Sequence, residues 1–99
     1  MKKTLTPKTI TACLQAGENI RMWRKIYRLK ASQVAERAGI SQGTLHKIEK
    51  GDPSVGLSAF LEVLRSLGLL DAFTESLDPL NSDLGRARAG EQLPRRIRG

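Results

Sequence analysis

The sequence predicts an all-α domain of five short helices followed by a flexible, basic C-terminal tail. Three observations lead there. Apolar residues recur at spacings of three and four in successive segments. No stretch shows the apolar/polar alternation of a half-buried strand. Glycines and prolines fall between the periodic segments, where helices stop and start.

The first helix opens at Thr6-Pro7, with Thr6 as N-cap and proline in the first turn. Ile10, Leu14, Ile20, Trp23 and Tyr27 then recur near helical spacing, ending near Arg28, with Trp23 and Tyr27 expected as core and rim residues. Gly17 fills the gap at a cost of about 1 kcal/mol relative to alanine. Residues 7–28 therefore form either one helix or two with a break at Gly17.

A second helix spans about Ala31 to Ala38, with Val34, Ala35 and Ala38 on one face. Gly39 is placed to stop it in a left-handed conformation, and Ile40 follows as a buried plug. Ser41 then caps a third helix reaching about Lys50, with Leu45 and Ile48 inward and Gly51 at its end. Asp52-Pro53-Ser54 forms a turn. Leu57, Phe60, Leu61, Leu64 and Leu67 make an amphipathic fourth helix closed by Gly68. Leu69, Leu70, Phe73 and Leu77 make a shorter fifth, broken by Asp78-Pro79.

These elements divide the chain into an N-terminal extension (1–17), helical from about residue 7, a five-helix domain (18–77) and a basic tail (78–99). The tail is thin in apolar residues and is expected to be disordered or ordered on a partner. Its late Arg95, Arg96 and Arg98 are a charged end or a phosphate or partner contact.

Ninety-nine residues suit one domain. The net charge of +7 is unevenly spread. Residues 1–50 carry eleven Lys/Arg against three acids, residues 51–77 one Arg against four acids, and residues 78–99 five Arg against three acids. A basic first half points to an anionic partner docking on one side. Cys13 is the only cysteine, which excludes an internal disulfide and a cysteine metal cluster; it is expected to pack within its helix. No apolar run approaches the roughly 20 residues of a membrane span, and the first residues lack a signal-peptide core, so a cytoplasmic protein is expected. The chain offers no paired carboxylates in a cleft, no nucleophile with a base and no phosphate-binding glycine loop, so neither enzyme activity nor a cofactor is expected. His46, the single histidine, is expected near phosphate or in solvent.

The second and third helices, joined by a few residues around a glycine, have the sequence form of a helix-turn-helix. Small Ala35 lets them approach closely, Gly39 supplies the tight turn, and Val34, Ile40, Leu45 and Ile48 fill the angle between them. That leaves Gln42, Gly43, His46, Lys47 and Lys50 on one outer face, with Ser41 and Thr44 at the helix start, where free N–H groups favour phosphate. Gln pairs with adenine and Lys with guanine in the major groove. Leu69, Leu70, Phe73 and Leu77 offer more apolar surface than one subunit needs, so a two-fold homodimer is expected there. Its recognition helices would face successive turns of a palindromic site about 34 Å apart.

The span Ile20 to Leu69 resembles the lambda-repressor-like, Cro/XRE-type helix-turn-helix family. Ile20-Arg21, Arg24, Leu29, Val34-Ala35, Gly39-Ile40-Ser41, Thr44-Leu45, Ile48-Glu49, Gly51 and Leu67-Gly68 carry the likeness. It implies that the third helix enters the major groove of duplex DNA and reads bases from Gln42, Gly43 and Lys47. It also implies an ion pair between Arg24 and Glu49 that orients the third helix. Where many relatives have Thr-Gln at the start of the second helix, this chain has Lys30-Ala31. Lys30 is then expected to meet phosphate as a charge, and the second helix to lack its usual cap. EKGDPSVGLSAFLEVLRSLGLLDAF and the late LPRRIR are similar to HipB-like antitoxins. That likeness implies a repressor of its own operon that binds a HipA-like serine/threonine kinase toxin. The other expectation is a stand-alone XRE-type regulator.

Overall fold

The computed structural model describes residues 4–90. Among them there is no strand. The elements are α1 (Pro7–Ile26), α2 (Ala31–Ala38), α3 (Gln42–Glu49), α4 (Leu57–Ser66), α5 (Leu70–Ser76), a 3₁₀ turn (Pro79–Asn81) and α6 (Asp83–Arg88). Arg95, Arg96 and Arg98 lie outside the described residues.

The core is small and aliphatic. Ile20, Val34, Ala35, Ala38, Leu45, Ile48, Val63, Leu64 and Leu67 are buried, with Leu45, Val34 and Val63 the largest side chains fully enclosed. Each of these three contributes about 1.5–3 kcal/mol by leaving water. α2 packs on both α3 and α4, while α1 lies against α3. Ala35 sits where two helices meet and is nearly sealed, as its small side chain requires. Ile40 is half-buried against this core rather than enclosed.

Residues 7–26 form one unbroken helix, which settles the alternative at Gly17. The glycine is a packing device. A β-carbon there would lie 2.7 Å from the Glu49 carbonyl oxygen, 2.8 Å from the Gly51 nitrogen and closer still to the Ile48 carbonyl oxygen. Gly51 is matched to it, since its own β-carbon would lie 2.7 Å from the Cys13 carbonyl oxygen. Two glycines thus let the backbone of α1 touch the end of α3 directly.

That contact follows the line Gly17, Ile20, Arg24, and it corrects the expected core face of the first helix. Ile20 is buried, but Ile10, Leu14, Trp23 and Tyr27 are exposed. Trp23 retains 39 % of its accessible surface and leans on Tyr27, with ring centroids 5.7 Å apart. The physical reason is that apolar residues surround α1. Met22 and Ile26 sit opposite Ile20 and are exposed as well, so no single stripe defines its inner side.

Further along the chain, Leu69, Leu70 and Phe73, expected on a dimer surface, are half-buried against the protein's own core. Phe73 meets Phe60 edge-on at 6.0 Å. Leu77 alone of that set stays open, at 69 % exposure. The expected tail also departs from its description. The Asp78 carboxylate accepts the Leu80 N–H at 2.9 Å and starts the 3₁₀ turn. Ser82 accepts the Gly85 N–H at 2.9 Å and starts α6. Arg86 donates to the Leu80 carbonyl at 2.9 Å and pairs with Asp83. Two capping side chains give this stretch local order that apolar periodicity does not announce.

Candidate nucleic-acid interface

α3 begins on a side-chain cap. The Thr44 N–H donates to Ser41 Oγ at 3.0 Å, and the Ser41 hydroxyl donates to Thr44 Oγ1 at 3.0 Å. Both residues predicted to meet DNA at the helix start are therefore engaged in the cap, and Thr44 is half-buried. One side of α3 is sealed by Leu45 and Ile48. The opposite side carries Gln42, Gly43, His46, Lys47 and Lys50, all exposed. At 100° per residue these five share a broad face, and the structure brings them together. Gly43 lies in the open, its nearest neighbour being Ser41 Oγ at 3.8 Å from an added β-carbon.

The helix is held from behind by Arg24 of α1. Arg24 Nε and a terminal nitrogen donate to the two Glu49 carboxylate oxygens at 2.7 and 3.0 Å. The other terminal nitrogen donates to the Leu29 carbonyl at 3.1 Å. Side-chain exposures of 14 % and 9 % make this a shielded, two-pronged pair. The hydrogen bond to Glu49 and then its negative charge outweigh burial and raise the Arg24 pKa above its ordinary value. A guanidinium with three anchoring bonds fixes α1, the loop before α2 and the end of α3 as one unit.

Lys30 lies at the N-cap of α2 and is exposed. As expected, the N-cap residue of α2 makes no side-chain cap hydrogen bond. A lysine side chain has no acceptor, yet the Gln33 side chain reaches back and accepts the Lys30 N–H at 2.8 Å.

Two cations not anticipated from the sequence join the surface. Arg21 and Lys25, four residues apart on α1, line a groove of about 930 Å³ together with Gln42 and His46 of α3 and Lys50 at its C-cap. The i, i+4 basic pair was the available signal. It was hidden because the first helix read as a core helix.

Beyond the end of α3 the chain turns through Asp52. Hydrogen bonds from the Ser54 hydroxyl at 2.7 Å and the Ser54 N–H at 2.8 Å hold the Asp52 carboxyl below the ordinary aspartate range, with the Lys47 charge adding to them.

A family model described as a helix-turn-helix domain matches residues 15–77, which takes in the second half of α1 and all of α2, α3, α4 and α5. No curated protein and no solved structure matches the chain. Among the described residues, no helix is long and apolar enough to cross a membrane.

Proposed function

The chain belongs to the helix-turn-helix domain family, and on that premise we propose that it is a DNA-binding transcriptional repressor, a binding protein rather than an enzyme. It reads duplex DNA with α3. One observation carries the reading. The exposed side of α3 holds only polar or side-chain-free positions, Gln42, Gly43, His46, Lys47 and Lys50, while its reverse side is locked by Leu45, Ile48 and the Arg24–Glu49 pair. A rigid helix with a free polar face fits the width of the major groove. Gln42 and Lys47 read base edges, and Arg21, Lys25, Lys30 and Lys50 supply positive charge for the backbone.

The repressor acts as a two-fold dimer on a palindromic operator. The support is apolar surface left open at the C-terminal end, where Leu77, Leu80 and Leu84 are exposed. This surface lies beyond Leu69, Leu70 and Phe73, which the fold uses internally. Within the same reading, the likeness of residues 49–73 to HipB-like antitoxins supports a role as the antitoxin of a toxin–antitoxin pair with a HipA-like kinase. Its test is whether the product of an adjacent gene co-purifies. Without such a partner the chain is a stand-alone regulator.

The DNA-binding claim is tested by selecting duplexes from a random pool and titrating salt. Six to ten phosphate contacts in a dimer give a log–log slope of about −5 to −9. A flat salt response, or equal affinity for selected and random duplexes, would remove the reading.

A further inference from the structure

Four helices end in the same backbone arrangement, and one of the four carries a residue that the arrangement disfavours. α1, α2, α3 and α4 each close with a left-handed residue: Arg28 (φ 58°), Gly39 (φ 70°), Gly51 (φ 77°) and Gly68 (φ 75°). The hydrogen bonds repeat as well. The N–H of the left-handed residue reaches back to Lys25, Glu36, Ile48 and Arg65 carbonyls in turn, at 2.9, 3.1, 3.0 and 3.0 Å. The N–H of the next residue reaches back to Arg24, Ala35, Lys47 and Leu64 carbonyls, at 3.0, 3.0, 2.9 and 2.8 Å. This is the Schellman closure, whose left-handed position favours glycine.

At Gly39 and Gly68 an added β-carbon would meet nothing within 4 Å, so glycine is there for its backbone freedom and not for space. Arg28 is the only non-glycine residue at positive φ among the described residues. Its side chain is exposed and makes no hydrogen bond or ion pair among the described residues. Nothing within the fold offsets the strain of a β-carbon in this conformation.

The site of that strain lies in the DNA-facing unit. Arg24, four residues earlier, holds the Leu29 carbonyl and Glu49 of α3 together, so the turn containing Arg28 is tied to the recognition helix. Arg21 and Lys25 precede it and Lys30 follows it, all exposed. We propose that Arg28 is a phosphate contact for duplex DNA, a guanidinium placed by the left-handed turn at a position where the rest of the fold uses glycine. The proposal rests on the DNA-binding reading above. A guanidinium grips phosphate oxygens in a forked geometry that no glycine replaces, and such a contact adds affinity without reading sequence.

Arg28→Gly, Arg28→Ala and Arg28→Lys in the full chain test it, with thermal melting and salt-titrated binding to a selected and a random duplex. Arg28→Gly relieves the strain and raises the melting midpoint by about 4–8 °C. The same variant binds both duplexes more weakly by one shared factor, about tenfold, and its salt slope is shallower by about one per bound copy. Arg28→Ala keeps the β-carbon, melts near the parent, and loses the same affinity. Arg28→Lys keeps the charge and retains most of the slope. A lower midpoint for Arg28→Gly overturns the strain argument. A higher midpoint with parental affinity and slope overturns the phosphate contact while leaving the DNA-binding reading standing. Parent protein that binds no duplex removes both.

Discussion

Gly17→Ala sets helix propensity against packing and lets the sign decide. Alanine in the middle of a helix is favoured over glycine by about 1 kcal/mol, so local reasoning expects a gain. The structure says otherwise. The new methyl would sit 2.7 and 2.8 Å from Glu49 O and Gly51 N, where ordinary contact begins at 3.4 Å. α1 must therefore retreat by roughly 0.6–1 Å, and the atoms in the way are backbone, which cannot swing aside. Overpacking of this kind costs about 1–3 kcal/mol, with the upper end expected because the retreat also stretches the Arg24–Glu49 pair. Taking about 3 kcal/mol of strain against about 1 kcal/mol of propensity leaves a loss of about 2 kcal/mol. For a domain of this size that is a fall in melting midpoint of roughly 8–16 °C. Circular dichroism melting and urea titration read it directly. Gly43→Ala is the internal control, since its β-carbon meets only Ser41 Oγ at 3.8 Å, an ordinary contact, and it gains up to about 1 kcal/mol. A rise in midpoint for Gly17→Ala like that of the control would refute the close approach of α1 and α3.

Four further outcomes follow from the geometry. Glu49→Ala leaves the shielded Arg24 guanidinium with only the Leu29 carbonyl and costs about 1–3 kcal/mol, whereas replacing both partners with leucine costs less than the two single losses together, measured by a double-mutant cycle in urea. Because the Arg24 pKa is raised, its side of the pair stays charged up to the alkaline limit, and stability shows no loss from it as pH rises through the neutral range. The Asp52 carboxyl is depressed mainly by the Ser54 hydroxyl, so its contribution is present above the ordinary aspartate value and disappears as pH falls through the lower folded value. Ser54→Ala should move its titration, followed by carbon-13 NMR, back up toward that ordinary value. Trp23 is the only tryptophan, and its exposure predicts red-shifted emission readily quenched by iodide; blue, shielded emission from the monomer would contradict the placement of α1.

How much was legible in the sequence depends on whether each signal was local. The ends of α2, α3 and α4 were legible because Ser41, Gly39, Gly51 and Gly68 act through backbone rules that need no partner. The inward residues of α2 and α3 were legible because those helices are short and carry few apolar residues. α1 was misread for the opposite reason. It carries apolar side chains on every side, so periodicity picked out Trp23 and Tyr27 when the contact line is set by Gly17 and Ile20. Gly17 itself read as a cost because a glycine's usefulness depends on the backbone opposite, here residues 48–51. The Arg24–Glu49 pair spans 25 positions, and only a family resemblance could suggest it. Arg21 and Lys25 were overlooked for want of the knowledge that α1 flanks α3. The helix at Asp83–Arg88 went unnoticed because capping by Ser82, not burial, starts it.

The central claim is that Gln42 and Lys47 meet bases, and the most direct test is a grid of variants against base substitutions. A duplex selected by the parent protein is changed one base pair at a time, and each change is titrated against the parent, Gln42→Ala and Lys47→Ala. Each variant is expected to lose about 1–3 kcal/mol on the selected duplex and to become indifferent to substitution at one or two base pairs, a different set for each residue. Parental affinity in both variants, with every base preference intact, would contradict it.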